Sequence, residues 1–325
     1  EGGSVVGAND ERNGKPIEIA ARRGVVMASG GFGADTEMRA KYVPLVEDHV
    51  SVQPVENVGD GIRIGQEGGG ILGEVNGDNG VWAPVSVRSS RSGDVQKYPH
   101  FGPDRAKPGS IIVDMSGRRF ANEADPYVPF VHTMQTRNIR KALFIGDRKM
   151  LRTYGMGLAP PAPYPLRRLV RDGYLIEAPT IRALAGKVGV DPDVLEETVD
   201  TFNGPAKEGK GPAFHRGENI YDHSQGDFEH PVNPNVAPIT VSPFYAIALY
   251  PGDVGMVFGL DTNADAQVLS AKGTPVAGLY AVGLDQNSFL RGIYAGGGCG
   301  IGPGMTFGYR AARHLAGRLC QSNVA

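Results

Sequence analysis

Seven glycines fall between Gly292 and Gly304, in the segment Arg291-Gly-Ile-Tyr-Ala-Gly-Gly-Gly-Cys-Gly-Ile-Gly-Pro-Gly-Met-Thr306, just ahead of a stretch with helical apolar spacing. Glycine lets a backbone approach a ligand closely, and a helix N-terminus offers free N–H groups at the positive end of a dipole. Together they can hold an anionic ligand edge. The same run would equally serve a loop that only packs tightly, and spacing alone leaves both readings open. Tyr294 adds a hydroxyl within the run. Cys299 is a nucleophile by type, but no His accompanies it locally, which favours a small packed residue.

Other chemistry is thinly represented. Cys299 and Cys320 are the two cysteines, without CxxC spacing, and the seven histidines form no HxH or HExxH pair, so no metal site is expected. The net charge is −2 with no sustained basic run, which argues against nucleic acid as a partner. No apolar run approaches the ~18 residues of a transmembrane helix. There is no leader-like apolar segment, and a cytoplasmic location is expected. Asp60 reads as a turn and cap residue, Trp82 as core and Arg167-Arg168 as a solvated face.

The elements that must position these residues are α/β in pattern. Ser4–Ala8 and Ile17–Ala21 read as strands around a turn-rich Asn9–Gly14. Val25-Val-Met-Ala28 reads as a buried parallel strand running into Ser29-Gly-Gly31, the kind of strand edge where open α/β sheets bind ligands. Helices are expected over Thr36–Tyr42 with Asp35 as cap, and over Ile62–Glu67. Between residues 88 and 255 the pattern predicts a hairpin of Ile111–Asp114 with Arg119–Ala121 and a strand at Ala142–Asp147. It also predicts helices over Thr180–Val188 and Val194–Phe202, mostly loop from 203 to 243, and a strand at Phe244–Tyr250. A strand at Leu279–Val282 and a helix over Met305–Leu319 close the chain. The expected division is residues 1–87 and 256–325 as one nucleotide-binding domain, split by an inserted α+β domain of residues 88–255.

Several segments carry a family resemblance. Gly278-Leu-Tyr-Ala-Val-Gly283, Asp285, Ser288, Tyr294–Gly298 and Gly302-Pro-Gly-Met-Thr-Phe-Gly-Tyr309 resemble the C-terminal signature of the 3-ketosteroid dehydrogenases, of the fumarate reductase/succinate dehydrogenase flavoprotein superfamily. Arg23–Phe32 resembles that superfamily's "GVVLATGGF" strand and loop, and Gly117–Glu123 with Tyr127 its "G-x-R-F-x-N-E" segment. Pro243–Ala246 and Asp261–Leu269 also fit.

The resemblance implies a split Rossmann-like FAD-binding domain, incomplete here, with an inserted catalytic domain. The chain opens Glu1-Gly-Gly-Ser-Val-Val and lacks the family's GxGxxG turn, so a preceding segment that grips the FAD pyrophosphate is expected. FAD would be held by Ala28, Ser29, Gly30, Gly31, Gly283, Asp285, Gly300, Ile301, Gly302 and Met305, with the helix start facing the edge that gains charge on reduction. The implied reaction dehydrogenates a C–C bond next to a ketone of an apolar substrate, a steroid in that branch, with an external electron acceptor. Tyr294 and the Gly298 N–H would polarise the ketone, Tyr127 would remove the adjacent proton, and hydride would go to flavin N5. Tyr245, Met256 and Phe258 are the expected substrate contacts.

Departures from the steroid pattern are Gly255-Met-Val-Phe-Gly-Leu260, Leu284, Ala295 and Gly297. A dicarboxylate-reducing member would carry Arg after Asn122-Glu123 and His in place of Gly255, and neither is present. That dicarboxylate reductase therefore ranks as the lower alternative, and the alternative of another class is a non-catalytic chain, either a fragment lacking the FAD pyrophosphate-binding segment or a member that only binds ligand.

Overall fold

The computed structural model describes residues 3–43 and 49–317. It divides into two compact units, one of residues 1–45, 53–81 and 254–325, the other of residues 46–52 and 82–253.

The first unit is built on a three-stranded sheet in the order Gln267–Leu269, Pro275–Ala281, Val25–Met27. The last two strands run parallel, with Leu279 opposite Val25 and Ala281 opposite Met27. Parallel pairing makes Ala28 and Val282 leave the sheet at the same edge. Side chains alternate between faces: Leu279 and Ala281 pack with Met27, Leu260 and Val268, whereas Tyr280 and Val282 pack with Ala311, Phe307 and Leu315 of the helix Ile301–Leu315. The helix Asp60–Glu67 buries Ile62. Its Gly65 has no room for a side chain, because a Cβ would lie 2.3 Å from Leu260 Cδ1.

Two expectations change here. The last helix begins at Ile301 rather than Met305, so Gly302 and Gly304 lie in its first turn; Leu319 lies outside the described residues. Asn9–Arg12 is strand rather than turn, because Gly7–Arg12 and Lys15–Ala20 form a hairpin closed by Asn13-Gly14, both at positive φ. That hairpin is almost wholly exposed, so it carries no apolar alternation to mark it. The helix Thr36–Tyr42 is as expected, with the Asp35 carboxylate accepting from the Met38 N–H at 2.8 Å.

The second unit centres on an antiparallel sheet in the order Ile176–Ala178, Phe244–Leu249, Ala142–Asp147, Ser110–Asp114. Ala142–Asp147 is buried throughout because helices cover both faces. Ile111, Leu143 and Ile145 pack against Leu184, Leu195, Val199 and Phe202 of the helices Ile181–Val188 and Pro192–Ala206. Ile112, Phe144 and Ile247 pack against Phe130, Met134 and Leu151 on the other face. Pro192–Ala206 starts at an Asp191 cap, ahead of the expected Val194, and runs through Gly204-Pro205, ending on a buried Ala206. Arg119–Ala121 makes a single bridge, Val113 to Arg119, and no strand. Arg119 turns to a buried carboxylate instead. No described helix is long and apolar enough to cross a membrane.

Candidate flavin and substrate site

At the strand edge of the first unit, the loop after Met27 and the loop after Val282 are tied by one carboxylate. Asp285 is wholly buried and accepts from the Ser29 N–H, from Ser29 Oγ at 3.1 Å and from the Gly31 N–H at 2.9 Å. The Gly61 N–H donates to Ser29 Oγ at 3.1 Å. A side chain at Gly61 would lie 2.5 Å from that oxygen and 2.6 Å from Asp285 Oδ2. Asp285, expected as a cofactor contact, therefore spends its carboxylate on the loop and leaves Ala28 and Ser29 exposed. Gly30 and Gly31 hold φ of +99° and +77°, a conformation open to glycine.

The first turn of Ile301–Leu315 closes on the same edge, where a Cβ added at Gly304 would lie 3.4 Å from Gly283 Cα. The glycines before it are not tightly packed. A Cβ built on Gly296, Gly297, Gly298, Gly300 or Gly302 meets nothing within 4 Å, so no described residue packs on that backbone. Gly296 and Gly298 also hold positive φ, +138° and +98°. Among the described residues the N–H groups of Gly298, Gly300 and Ile301 make no hydrogen bond, and no side chain caps the helix. Ile301 and Met305 are 74% and 72% exposed beside them. Unpaired donors at a positive helix end, bare glycine backbone and exposed aliphatic side chains fit the polar edge and flat face of an isoalloxazine. Tyr294 is half-buried in this segment, and Cys299 is a partly buried free thiol.

Met256 and Phe258, expected to meet substrate, are 1% and 0% exposed. Phe258 stacks on Tyr42 at 4.7 Å between ring centres and meets Phe32 edge-on at 6.3 Å. They are core of the first unit, and the apolar pattern around them did not separate lining from core.

In the second unit, Tyr127 opens the helix Tyr127–Thr136, with Phe101 edge-on at 4.9 Å. The segment leading to it is held by buried charge. Arg105 donates to the carbonyls of His100, Glu123 and Asp125 at 3.0, 2.7 and 2.9 Å and lies over the Phe130 ring. Burial lowers its pKa to about 10, still protonated at neutral pH. Glu123 accepts from Arg119 at 2.7 Å and from Arg216 at 3.1 Å. Burial alone would raise its pKa, but the two guanidinium charges outweigh it and hold the carboxyl at about 2. Asp125 moves the other way, to about 6, through burial and the neighbouring Asp222. Arg105 and Arg216 were not identified from sequence, because each lies outside the "G-x-R-F-x-N-E" segment it supports. Tyr245 is buried on the strand Phe244–Leu249 and lines a cavity that contains no other expected site residue.

The profile of the FAD binding domain family matches residues 1–301. The 4-oxocyclohex-2-ene-1-carboxylate 5-dehydrogenase of Sinomonas cyclohexanicum is 39% identical over 310 residues, 93% of this chain and 52% of that protein. The 3-oxosteroid 1-dehydrogenase of Mycobacterium tuberculosis is 36% identical over 322 residues, covering 95% and 55%. The crystal structure of the 3-ketosteroid Δ1-dehydrogenase of Sterolibacterium denitrificans, in complex with 1,4-androstadiene-3,17-dione, superposes with a TM-score of 0.84. It is 34% identical, covering 97% of this chain and 57% of that one. The chain thus spans about half the length of the curated relatives it matches. It belongs to the FAD binding domain family and is similar, over nearly all its length, to dehydrogenases that act on ring ketones.

Proposed function

We propose that the chain forms the flavin-facing and catalytic part of an FAD-dependent dehydrogenase. It would remove two hydrogens from a C–C bond next to the ketone of an apolar ring, a 3-ketosteroid or a smaller oxo-cyclohexane. The observation that carries the reading is the set of unpaired N–H groups at Gly298, Gly300 and Ile301, over bare glycine backbone and beside Tyr294. The named activities of the relatives support the substrate class.

FAD, when bound, supplies the hydride acceptor. Ala28, Ser29, Gly30, Gly31, Gly283, Gly300, Ile301, Gly302 and Met305 would hold it, with Asp285 fixing the loop. The Tyr294 hydroxyl and the Gly298 N–H would donate to the ketone oxygen. A C–H beside a ketone becomes acidic only when the developing enolate is stabilised, and two fixed donors do this. Tyr127, as phenolate, would take that proton. The reading includes an external electron acceptor and a GxGxxG-bearing segment, outside these residues, for the FAD pyrophosphate.

The test is flavin reduction by stopped flow. The yellow, FAD-loaded protein should bleach anaerobically on adding a 3-ketosteroid or 4-oxocyclohexanecarboxylate. Tyr294→Phe and Tyr127→Phe should each slow bleaching by about 10²-fold or more while FAD stays bound. Unchanged rates in both variants would sink the assignment.

A further inference from the structure

The second unit holds a cavity of about 500 Å³ rimmed by Arg148, Arg152, Arg167 and Arg171. Two short helices, Arg148–Tyr154 and Arg167–Arg171, each present a pair of arginines four residues apart. Like charges at that spacing repel, and in a chain of net charge −2 they are not part of a general basic surface. Neutralisation within the protein is slight. Arg152 donates to the Tyr164 carbonyl at 2.8 Å, and Arg171 lies 3.4 Å from Asp172, which already accepts from Arg88. Arg148 and Arg167 form no side-chain hydrogen bond or ion pair with the described residues, and Glu177 is the one carboxylate in the lining.

Beneath the rim the floor is apolar. Leu166 and Val170 pack against the core on that face of the sheet, and the Tyr245 ring completes the floor. Tyr245 is 4% exposed, and its hydroxyl has no hydrogen-bond partner among the described residues. A merely solvated basic face, the expectation for Arg167-Arg168, needs no apolar floor. Arg168 does not line the cavity and Arg167 does. Guanidinium forks match the planar two-oxygen geometry of a carboxylate, and the volume lies in the range of small-molecule pockets.

We propose that this cavity binds a small apolar carboxylic acid as its anion. The carboxylate lies between Arg148 and Arg167, the apolar body rests on Leu166 and Val170, and the Tyr245 hydroxyl completes the polar contacts. The site is independent of the dehydrogenase reading, and no other residue proposed for that reaction lines it.

Titration calorimetry of the full chain with cyclohexanecarboxylate, its neutral carboxamide and inorganic phosphate tests this. Hydrogen exchange over residues 148–152 and 166–171 locates the site. Saturable binding of the carboxylate is expected, with protection in those two segments. Affinity should fall about tenfold or more for the carboxamide and for the double variant Arg148→Gln/Arg167→Gln, whose exposed positions should leave the fold intact. Tyr245→Phe should weaken binding several-fold. Carboxylate binding unchanged in a folded double variant, equal binding of the carboxamide, or no binding at millimolar concentrations would each overturn the proposal. Phosphate binding as tight as cyclohexanecarboxylate would overturn the apolar part.

Discussion

Two carboxylates, four and two residues before Tyr127, carry opposite pH signatures. Glu123 has its pKa held at about 2, below the ordinary 4.5. A depressed carboxyl contributes stability above its unfolded pKa and loses it as pH falls through the folded one. Stability should therefore fall between about pH 4.5 and 2. Glu123→Gln, which strands Arg119 and Arg216 without their shared carboxylate, should cost about 3 kcal/mol at pH 7 and remove that acid dependence, as read by urea melts at both pH values. Asp125 is raised from 3.8 to about 6, so the folded state holds a proton that the unfolded state releases in that window. Stability should rise as pH falls from 7 towards 4. Asp125→Asn should gain about 1 kcal/mol at pH 7, after discounting for its partial exposure. A neutral or destabilised Asn variant would mean that the carboxylate has a favourable partner when charged. Arg119, Asn122 and Glu123 were legible as a motif, but their roles as buried supports were not. Those roles depend on Arg105 and Arg216, brought in from other segments.

Among the elements, the glycines divide into those that are crowded and those that are bare. Gly61 and Gly302 sit in helices on the same unit, yet a Cβ would collide with Ser29 and Asp285 at the first and meet nothing at the second. Gly61→Ala should destabilise by about 1–3 kcal/mol through overpacking. Gly302→Ala should stabilise the FAD-free protein by about 0.5–1 kcal/mol through helix propensity, while weakening FAD binding if flavin lies over that turn. Thermal melts with and without FAD separate the two. Undiminished FAD affinity in Gly302→Ala would remove the helix start from the cofactor site. The strand Val25–Met27 and the helix Thr36–Tyr42 were legible because an apolar run and an Asp cap are local signals, although only Met27 of that strand is buried. The bounds of the exposed hairpin and the missing strand at Arg119 were not, since one lacks apolar periodicity and the other yields to an ion pair.

For the molecule as a whole, cofactor binding should be felt mainly where the free donors are. FAD at about 100 times its Kd should stabilise the fold by about 2.7 kcal/mol, with hydrogen-exchange protection over residues 28–31, 283–285 and 298–302. Protection confined to the second unit would contradict the proposed placement. By itself, the sequence determined the α/β class and the family, because strands, caps and glycine loops are written in neighbouring residues. Tertiary structure decided which glycines are bare, that Asp285 ties loops 256 positions apart in the chain, that Met256 and Phe258 are core, and that four arginines ring one cavity. Those properties depend on distance in space, and parallel strand pairing and buried charge networks set that distance without leaving a local pattern in the chain.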